Sequence, residues 1–254
     1  LLRDIGQVGV LSPTYAEHAH AWRRVGQSVE LLTADRLDAA LDRRLHRRLS
    51  RRHPASHRAC LLSRAACPVA EGLGVILHLI RHPPPDIAPG ICYGQLDVPA
   101  LAVEETAQRL LSLLPANIPV WSSPLQRARV LAHALHPTPR CDPRLGEMHF
   151  GAWEGRAWDE IGAAEVDAWA IDVAGFRPPG GENGLEVQAR ALAWLAERND
   201  EELAVVTHAG VKRVLLARWL DLPPARWMEL RFDFGSLTSV QFSGGVAKLL
   251  RRNI

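Results

Sequence analysis

The stretch Ile76-Leu77-His78-Leu79-Ile80-Arg81-His82, which is followed by three prolines, decides the fold of this chain. An apolar run of this length that stops at proline is typical of a buried strand, because proline cannot donate to the hydrogen-bond ladder of a sheet. Arg81 and His82 then lie at the carboxyl end of the strand, where open α/β sheets place their ligand sites. The stretch therefore predicts a buried strand with a polar site at its end.

The chain beyond this strand alternates between strand-like and helix-like patterns. Strand-like apolar runs occupy residues 75–80, 118–121, 203–207 and 237–242, and helical periodicity occupies residues 103–114, 124–135, 185–197 and 211–220. Strands that alternate with helices indicate βαβ units, with helices covering both faces of a sheet. We expect an α/β fold of three layers, α/β/α, with a mostly parallel sheet.

Length and charge divide the chain into two regions. The 254 residues can hold one large domain or one domain with an appendage. Residues 1–74 carry 12 arginines against seven acidic residues, whereas residues 75–254 carry slightly more acidic than basic residues. We predict an N-terminal extension over residues 1–74, whose order the sequence leaves open, and a separate domain over residues 75–254. An acidic domain is no general polyanion binder, so any affinity for phosphate there must come from a few placed arginines.

Cysteine usage and hydropathy indicate the compartment. The four cysteines, Cys60, Cys67, Cys92 and Cys141, show no C-x-x-C spacing, which argues against a zinc knuckle or a redox pair. No apolar stretch reaches the roughly 18 residues of a membrane span, and the start lacks the pattern of a signal peptide. We expect a reduced, cytoplasmic protein that has no membrane partner.

Residues 43–58 are strongly basic, with arginines spaced three to four apart and no acidic residue. This spacing would place the arginines on one face of a helix, as in a basic arm that binds nucleic acid or an anionic membrane. The alternative is a solvated linker, and we favour it, so nucleic acid is not an expected partner. The role of the run stays open.

Three further polar groups follow predicted elements. Arg127 lies in Trp-Ser-Ser-Pro-Leu-Gln-Arg, where Pro124 is expected near the first turn of a helix and Ser122 or Ser123 as its cap. A helix N-terminus favours anions, and a guanidinium offers paired donors to phosphate oxygens. His208 ends the run 203–207 and precedes Ala-Gly, so it mirrors His82 on another strand. Each residue alone has an ordinary structural interpretation, but the set of basic groups favours a phosphate site.

Together with Glu147 in Leu-Gly-Glu-Met-His-Phe-Gly-Ala-Trp-Glu-Gly, these motifs resemble the histidine phosphatase (phosphoglycerate mutase-like) superfamily. The resemblance implies that His82 accepts the phosphoryl group as a phosphohistidine. Arg81, Arg127 and His208 would bind the phosphoryl oxygens, and Glu147 would be the proton donor. It implies no metal and no cofactor, and the oligomeric state stays open.

The stretch from Arg81 to Ala100, RHPPPDIAPGICYGQLDVPA, resembles one subgroup, the α-ribazole-5'-phosphate phosphatases of cobalamin assembly. This resemblance places Tyr93, Gly94 and Gln95 in the substrate-binding site. Pro83 departs from the family, which usually has glycine there, and it removes a backbone N–H that would face the phosphate.

Residues 7–43 resemble a fragment of the pyridoxal-phosphate-dependent threonine-phosphate decarboxylases. The only lysines are Lys212 and Lys248, so the Schiff-base lysine of such enzymes is absent from this stretch and we interpret it as a remnant without activity. Both resemblances point to cobalamin biosynthesis. The expected function is dephosphorylation of a small-molecule phosphomonoester, α-ribazole 5'-phosphate or adenosylcobalamin 5'-phosphate. The alternatives are a broad-specificity or sugar-phosphate histidine phosphatase, a phosphoglycerate mutase, and a non-catalytic phospholigand-binding protein.

Overall fold

The structure is a computed structural model that describes residues 75–243 and 246–254, together with the backbone of two short strands near the start. The chain divides into two compact units, Leu1–Leu62 and Ser63–Ile254. In the first unit, Val8–Gly9 pairs in parallel with Val29–Glu30. The other residues of the decarboxylase-like stretch 7–43, and all of the basic run 43–58, lie outside the described residues, and so does most of the predicted extension.

The second unit contains an alternation of strands and helices. The strands are β1 (Val75–Arg81), β2 (Val120–Ser122), β3 (Arg140–Cys141), β4 (Glu202–Thr207), β5 (Leu237–Ser243) and β6 (Val246–Arg251). The α-helices are α1 (Val103–Leu111), α2 (Gln126–Leu135), α3 (Ala163–Ile171), α4 (Gly184–Ala196) and α5 (Ala209–Trp219). Short 3-10 helices cover Pro143–Leu145, Gly151–Trp153, Trp158–Glu160 and Pro224–Glu229.

The strands form one six-stranded sheet in the order β3-β2-β4-β1-β5-β6. β1 and β4 are parallel, with Arg81 opposite Thr207, and β4 and β2 are parallel, with Val206 opposite Ser122. β3 also runs parallel to β2, whereas β5 and β6 join the sheet in the antiparallel sense. The predicted α/β class with a mostly parallel sheet is confirmed.

Both faces of the sheet are apolar, because the central strands are apolar runs whose successive side chains point to opposite sides. Ile80 of β1 and Val206 of β4 share a buried cluster with Leu110 of α1 and Leu131 of α2. Leu79 and Val205, one position away, are fully buried on the other side. α1 packs against α2 and α4 packs against α5, so two helical layers enclose the sheet.

The helix predicted over residues 124–135 begins two residues later than expected. α2 starts at Gln126 with Leu125 as its N-cap residue, so Pro124 lies just before the helix. Neither serine caps the helix: Ser122 donates to the carbonyl of Ser123, and the Ser123 hydroxyl accepts from the N–H of Leu125 at 3.2 Å. Arg127 nevertheless lies in the first turn, as predicted. Among the described residues, no helix is long and apolar enough to cross a membrane.

Candidate active site

The carboxyl ends of β1, β2 and β4 meet at one edge of the sheet and bring four basic side chains together. His82 follows β1, and His208 follows β4 directly beside it, with the ring centroids 5.0 Å apart. Arg81 is 6% exposed, His82 is 1% exposed, and Arg127 and His208 are fully buried. A cluster of buried cations and imidazoles is costly by itself, so the arrangement suits an anionic ligand.

His82 has a fixed tautomer. Its Nδ1 lies 2.6 Å from the carbonyl oxygen of Pro83. Since a carbonyl oxygen only accepts, Nδ1 carries the ring proton and Nε2 keeps its lone pair. Burial, followed by the charges of Arg127 and Arg81, lowers the pKa of His82 well below its ordinary value of 6.5. The ring is thus a neutral imidazole with a nucleophilic nitrogen, and Pro83 contributes to it through its carbonyl although it lacks an N–H.

Arg127 is held by two carbonyl oxygens instead of by a carboxylate. Its Nη1 donates to Leu96 at 2.7 Å and its Nη2 donates to Gly94 at 2.5 Å, while its guanidinium carbon lies 5.0 Å from the centre of the Tyr93 ring. Burial lowers the pKa of Arg127 below its ordinary value. Gly94 has a φ of +30°, and a Cβ there would lie 2.9 Å from the Met148 carbonyl oxygen, so only glycine fits. The Tyr93–Gln95 segment therefore fixes the position of Arg127.

Arg81 lies between the strand end and an aromatic ring. Its Nη1 donates to the carbonyl of Phe232 at 2.6 Å, and its guanidinium carbon lies 3.6 Å from the centre of the Phe234 ring. The hydroxyl of Tyr93 also forms a hydrogen bond with Arg81. Burial raises the pKa of Tyr93, and the charge of Arg81 and this hydrogen bond offset only part of that rise. Arg81 and Arg127 are therefore linked through Tyr93.

The His208 ring forms one hydrogen bond with a side chain of the described residues. Its Nε2 lies 2.8 Å from the Ser123 hydroxyl, while its Nδ1 is buried and has no hydrogen-bond partner among the described residues. Burial, followed by the charges of Arg127, His82 and Arg81, lowers the pKa of His208 well below 6.5. The Ser123 hydroxyl accepts from the backbone, so its own proton is available for Nε2, and Nδ1 then carries the single N–H proton of the neutral ring.

Glu147 reaches the same edge of the sheet from the loop after Pro143–Leu145. Its Oε1 accepts from its neighbour Met148 N–H at 2.9 Å, and its Oε2 accepts from Gly210 N–H at 3.1 Å. Gly210 is the second residue of α5, so the carboxylate lies at a helix N-terminus. A Cβ on Gly210 would collide with Oε1 of Glu147, and the missing side chain gives the carboxylate its place.

A guanidinium from α4 holds the backbone of the Glu147 loop. Arg190 donates to the carbonyl oxygens of Arg144, Gly146 and Glu147 at 2.6 to 3.0 Å. Glu182 pairs with this guanidinium at 2.9 Å and also accepts from the N–H of His149. Gln95 adds a bond from its Nε2 to the Glu147 carbonyl at 2.8 Å. The loop is thus fixed on several sides.

The second carboxylate of this stretch, Glu154, has a structural position. Its Oε1 accepts from the N–H of Gln95 at 2.9 Å and from the N–H of Phe150 at 2.8 Å. These bonds tie the Tyr93–Gln95 segment to the Glu147 loop, as expected for a carboxylate without a catalytic role.

The structure places all the predicted site residues around one centre: Arg81, His82, Tyr93, Gly94, Gln95, Arg127, Glu147 and His208. It also reveals contributors that the sequence did not single out, namely Ser123 as a partner of His208, Phe234, Glu182 and Arg190. Of these, Ser123 lay within the Trp-Ser-Ser-Pro-Leu-Gln-Arg motif. In the part of the chain that the structure describes, no group of three or more His, Cys, Asp or Glu side chains is placed to hold a metal ion.

The fold and these groups define an α/β protein with two neutral imidazoles and two buried guanidinium groups at the carboxyl edge of its sheet. A model of the histidine phosphatase superfamily (branch 1) matches residues 77–254, and the chain belongs to this superfamily.

Three known proteins illustrate the relationship. The adenosylcobalamin/alpha-ribazole phosphatase of Salmonella typhimurium is 30% identical over 115 residues, which cover 42% of this chain and 56% of the relative. The glucosyl-3-phosphoglycerate phosphatase of Mycobacterium tuberculosis is 33% identical over 120 residues, 41% of this chain and 53% of the relative. These matches span about half the length of the relatives. The crystal structure of the alpha-ribazole phosphatase from Shigella flexneri superposes with a TM-score of 0.63 and 27% identity, covering 71% of this chain and 96% of that one.

Proposed function

We propose that residues 75–254 form a phosphomonoester hydrolase that transfers the phosphoryl group first to His82 and then to water. The observation that carries the proposal is the hydrogen bond from Nδ1 of His82 to the carbonyl of Pro83. It leaves the lone pair of Nε2 unshared, beside two buried guanidinium groups. A neutral imidazole nitrogen attacks phosphorus without first losing a proton.

The first step forms a bond between Nε2 of His82 and phosphorus and breaks the bond between phosphorus and the alcohol oxygen. Arg81, Arg127 and the Nδ1–H of His208 donate to the phosphoryl oxygens and stabilise their charge in the transition state. Glu147, in its protonated form, gives its proton to the departing alkoxide. The products are the free alcohol and a phosphohistidine.

The second step restores the protein. The Glu147 carboxylate removes a proton from water, and the oxygen attacks phosphorus as the bond to Nε2 breaks. Inorganic phosphate leaves, Glu147 is protonated again, and His82 returns to its neutral tautomer because the Pro83 carbonyl still holds Nδ1–H. Neither step needs a metal ion or an organic cofactor for its charge balance.

For the substrate we propose α-ribazole 5'-phosphate or adenosylcobalamin 5'-phosphate, which would place the protein in cobalamin biosynthesis. Three observations support this choice: the name of the Salmonella relative, the subgroup-like stretch from Arg81 to Ala100, and the decarboxylase-like residues 7–43. A sugar phosphate is the second candidate, because the Mycobacterium tuberculosis relative is named a glucosyl-3-phosphoglycerate phosphatase and is 33% identical over its matched stretch.

Acid-quenched labelling tests the mechanism. Wild-type protein mixed with radiolabelled substrate and quenched within one turnover should carry acid-labile label on His82, and His82→Ala should carry none. His133→Ala, which removes an exposed histidine of α2, is the control and should label like wild type. Label retained by His82→Ala would place the nucleophile elsewhere. Phosphate binding without label or turnover would favour the non-catalytic alternative.

A substrate panel tests the specificity. The kcat/KM for phosphate release should be higher with α-ribazole 5'-phosphate than with glucosyl-3-phosphoglycerate, other sugar phosphates or 3-phosphoglycerate. Equal values across the panel would leave the histidine mechanism in place but contradict the assignment to cobalamin biosynthesis. A preference for glucosyl-3-phosphoglycerate would replace the first candidate by the second.

A further inference from the structure

The loop of residues 232–236, between Pro224–Glu229 and β5, contacts both the backbone and the side chains at the end of β1. The N–H of Arg81 donates to the Ser236 carbonyl at 3.0 Å, and the N–H of Gly235 donates to the His82 carbonyl at 3.1 Å. Arg81 Nη1 donates to Phe232, as described above. The loop thus contacts Arg81 and His82, two of the residues proposed to meet the phosphate, although no residue of the loop belongs to the predicted site.

The aromatic ring of Phe234 lies against both of these residues. Its centre is 3.6 Å from the Arg81 guanidinium carbon, and it is 5.5 Å from the His82 ring, inclined by 50°. At 3.6 Å the guanidinium is in contact with the face of the ring, where the cation–π attraction is strong and the partly buried site screens it little. Stacking occupies the face of a guanidinium, whereas its N–H donors lie in the plane of the group, at its edge.

We infer that Phe234 is a positioning residue, which fixes the plane of the Arg81 guanidinium so that its donors point to the phosphoryl group. The inference rests on the proposed phosphate site and names a determinant of it that the motifs do not contain. Phe234 acts through Arg81 and needs no contact with the substrate.

The loop that carries Phe234 is anchored by three elements other than β1. Lys212 of α5 donates from Nζ to the Ser236 carbonyl at 3.0 Å and contacts the Ser236 hydroxyl at 3.3 Å. Arg109 of α1 donates to the Gly235 carbonyl at 2.6 Å. Near the C-terminus, Asn253 exchanges two hydrogen bonds with Asp233. A ring mounted on a backbone fixed in this way can hold a guanidinium in one orientation.

A leucine in place of Phe234 separates positioning from packing. It fills much of the same volume but has no aromatic face, so the cation–π contact is lost while apolar packing largely remains. A residue that only packs would change stability and leave phosphate affinity unaltered. If Phe234 is a positioning residue, its replacement weakens phosphate binding by more than the loss of stability accounts for.

The experiment compares the full-length chain with three variants. Phe234→Leu removes the ring, Phe234→Tyr keeps it, and Phe242→Leu is the matched control. Phe242 is buried on β5, packs edge-on against Trp219 and pairs with Val75, at the opposite end of β1 from Arg81. The measurements are the dissociation constant of inorganic phosphate by calorimetry, kcat and KM for the best monoester of the panel, and the urea midpoint.

We expect Phe234→Leu to weaken phosphate binding and to raise KM by about tenfold, in line with a desolvated cation–π contact. Phe234→Tyr should stay within about twofold of wild type, because its ring keeps the same face. Phe242→Leu should lower the urea midpoint without changing phosphate binding.

Equal phosphate affinity in Phe234→Leu and wild type would overturn the inference, as would an equal loss in both leucine variants. If Phe234→Leu does not fold, a weakened phosphate affinity in the tyrosine variant at an unchanged urea midpoint would also contradict it. A wild-type protein that binds phosphate but hydrolyses no monoester would refute the proposed function, while the calorimetric comparison would still decide the role of Phe234. Absence of phosphate binding by the wild-type protein would refute both.

Discussion

The His82 side chain combines a fixed tautomer with a lowered pKa, and the two have different origins. The tautomer comes from the carbonyl of Pro83, one residue away, whereas the pKa is lowered by burial and by Arg127, which is distant in sequence. The sequence motif predicted which histidine is the candidate nucleophile. It did not predict that Pro83, which departs from the family pattern, still supplies the carbonyl oxygen that fixes the tautomer of His82.

The importance of Glu147, the proposed proton donor, depends on whether the leaving group must be protonated. Replacement by glutamine removes the transferable proton, so the expected effect is a fall in kcat of about 100-fold or more for a monoester of an unactivated alcohol. p-Nitrophenyl phosphate should lose much less in the first step, because its phenolate leaves without protonation. Phosphohistidine should then accumulate, since the attack of water also lacks its base. Rapid-quench kinetics with both substrates measures these effects.

Glu154→Gln is the matched control for this prediction, because Glu154 lies in the same stretch and accepts two backbone N–H groups. It should not discriminate between the two leaving groups. If Glu147→Gln slowed both substrates equally and no phosphohistidine accumulated, Glu147 would not be the proton donor.

At the scale of elements, the sequence predicted the strands and helices that carry a regular pattern. β1, β4 and β5 are apolar runs with clear ends, and their predicted bounds lie within one residue of those found. α3 was missed because it buries only Val166 and Trp169, which leaves little helical periodicity in its sequence. β6 was missed because it lies at the sheet edge, where its side chains are exposed or only partly buried and form no apolar run.

The supports of the Glu147 loop were beyond prediction for a different reason. Arg190 lies 43 residues from Glu147 in the sequence, and it binds backbone carbonyls, which leave no trace in the residue types of the loop. On the helical pattern alone, Arg190 is an ordinary arginine of α4. Only the packing of α4 against Pro143–Leu145 shows its role.

Arg190→Lys tests whether this guanidinium positions Glu147. Lysine keeps the charge opposite Glu182, but its three donors on one nitrogen cannot replace the five hydrogen bonds of the guanidinium, three to carbonyl oxygens and two to Glu182. The loop should therefore lose its fixed place. We expect kcat to fall by about tenfold or more, since small displacements of a catalytic group are costly. Phosphate binding should change by less than about twofold, because Arg81 and Arg127 are untouched. Steady-state kinetics and calorimetry measure the two quantities.

Arg226→Lys provides the comparison, because Arg226 pairs with Glu229 on the surface within Pro224–Glu229. Arg226→Lys should change neither kcat nor the affinity for phosphate. A parallel loss of kcat and phosphate affinity in Arg190→Lys would indicate general disruption of the fold instead of misplacement of Glu147.

At the scale of the whole molecule, Lys212 makes folding depend on pH. It is fully buried, and burial together with the charge of Arg81 lowers its pKa well below the ordinary value of 10.5. The unfolded chain therefore binds a proton that the folded chain lacks over the pH range between these two pKa values. The folded state is penalised at the lower end of this range, and the penalty disappears as the pH rises towards 10.5.

Lys212→Met should remove this dependence. Between about pH 7 and pH 9, the free energy of unfolding of the wild type should rise relative to that of the variant by up to about 1.4 kcal/mol per pH unit. Urea unfolding at both pH values measures the difference, with the exposed Lys248→Met as the control that should track the wild type. Parallel pH profiles for the wild type and Lys212→Met would mean that Lys212 stays charged in the folded protein.

The last prediction concerns the division of the chain. Every strand of the six-stranded sheet begins at or after Val75, and every proposed site residue lies between Arg81 and His208. We therefore propose residues 75–254 as the catalytic domain and expect this fragment to keep kcat and KM within about twofold of the full chain, because it contains all the groups that meet the phosphate. A fragment that starts at Arg81 is the contrasting variant. It lacks most of β1, whose partners on both sides are β4 and β5, and it should not fold. Loss of activity in a folded 75–254 fragment would show that residues 1–74 contribute to catalysis and would revise both the domain boundary and the interpretation of the basic run as a linker.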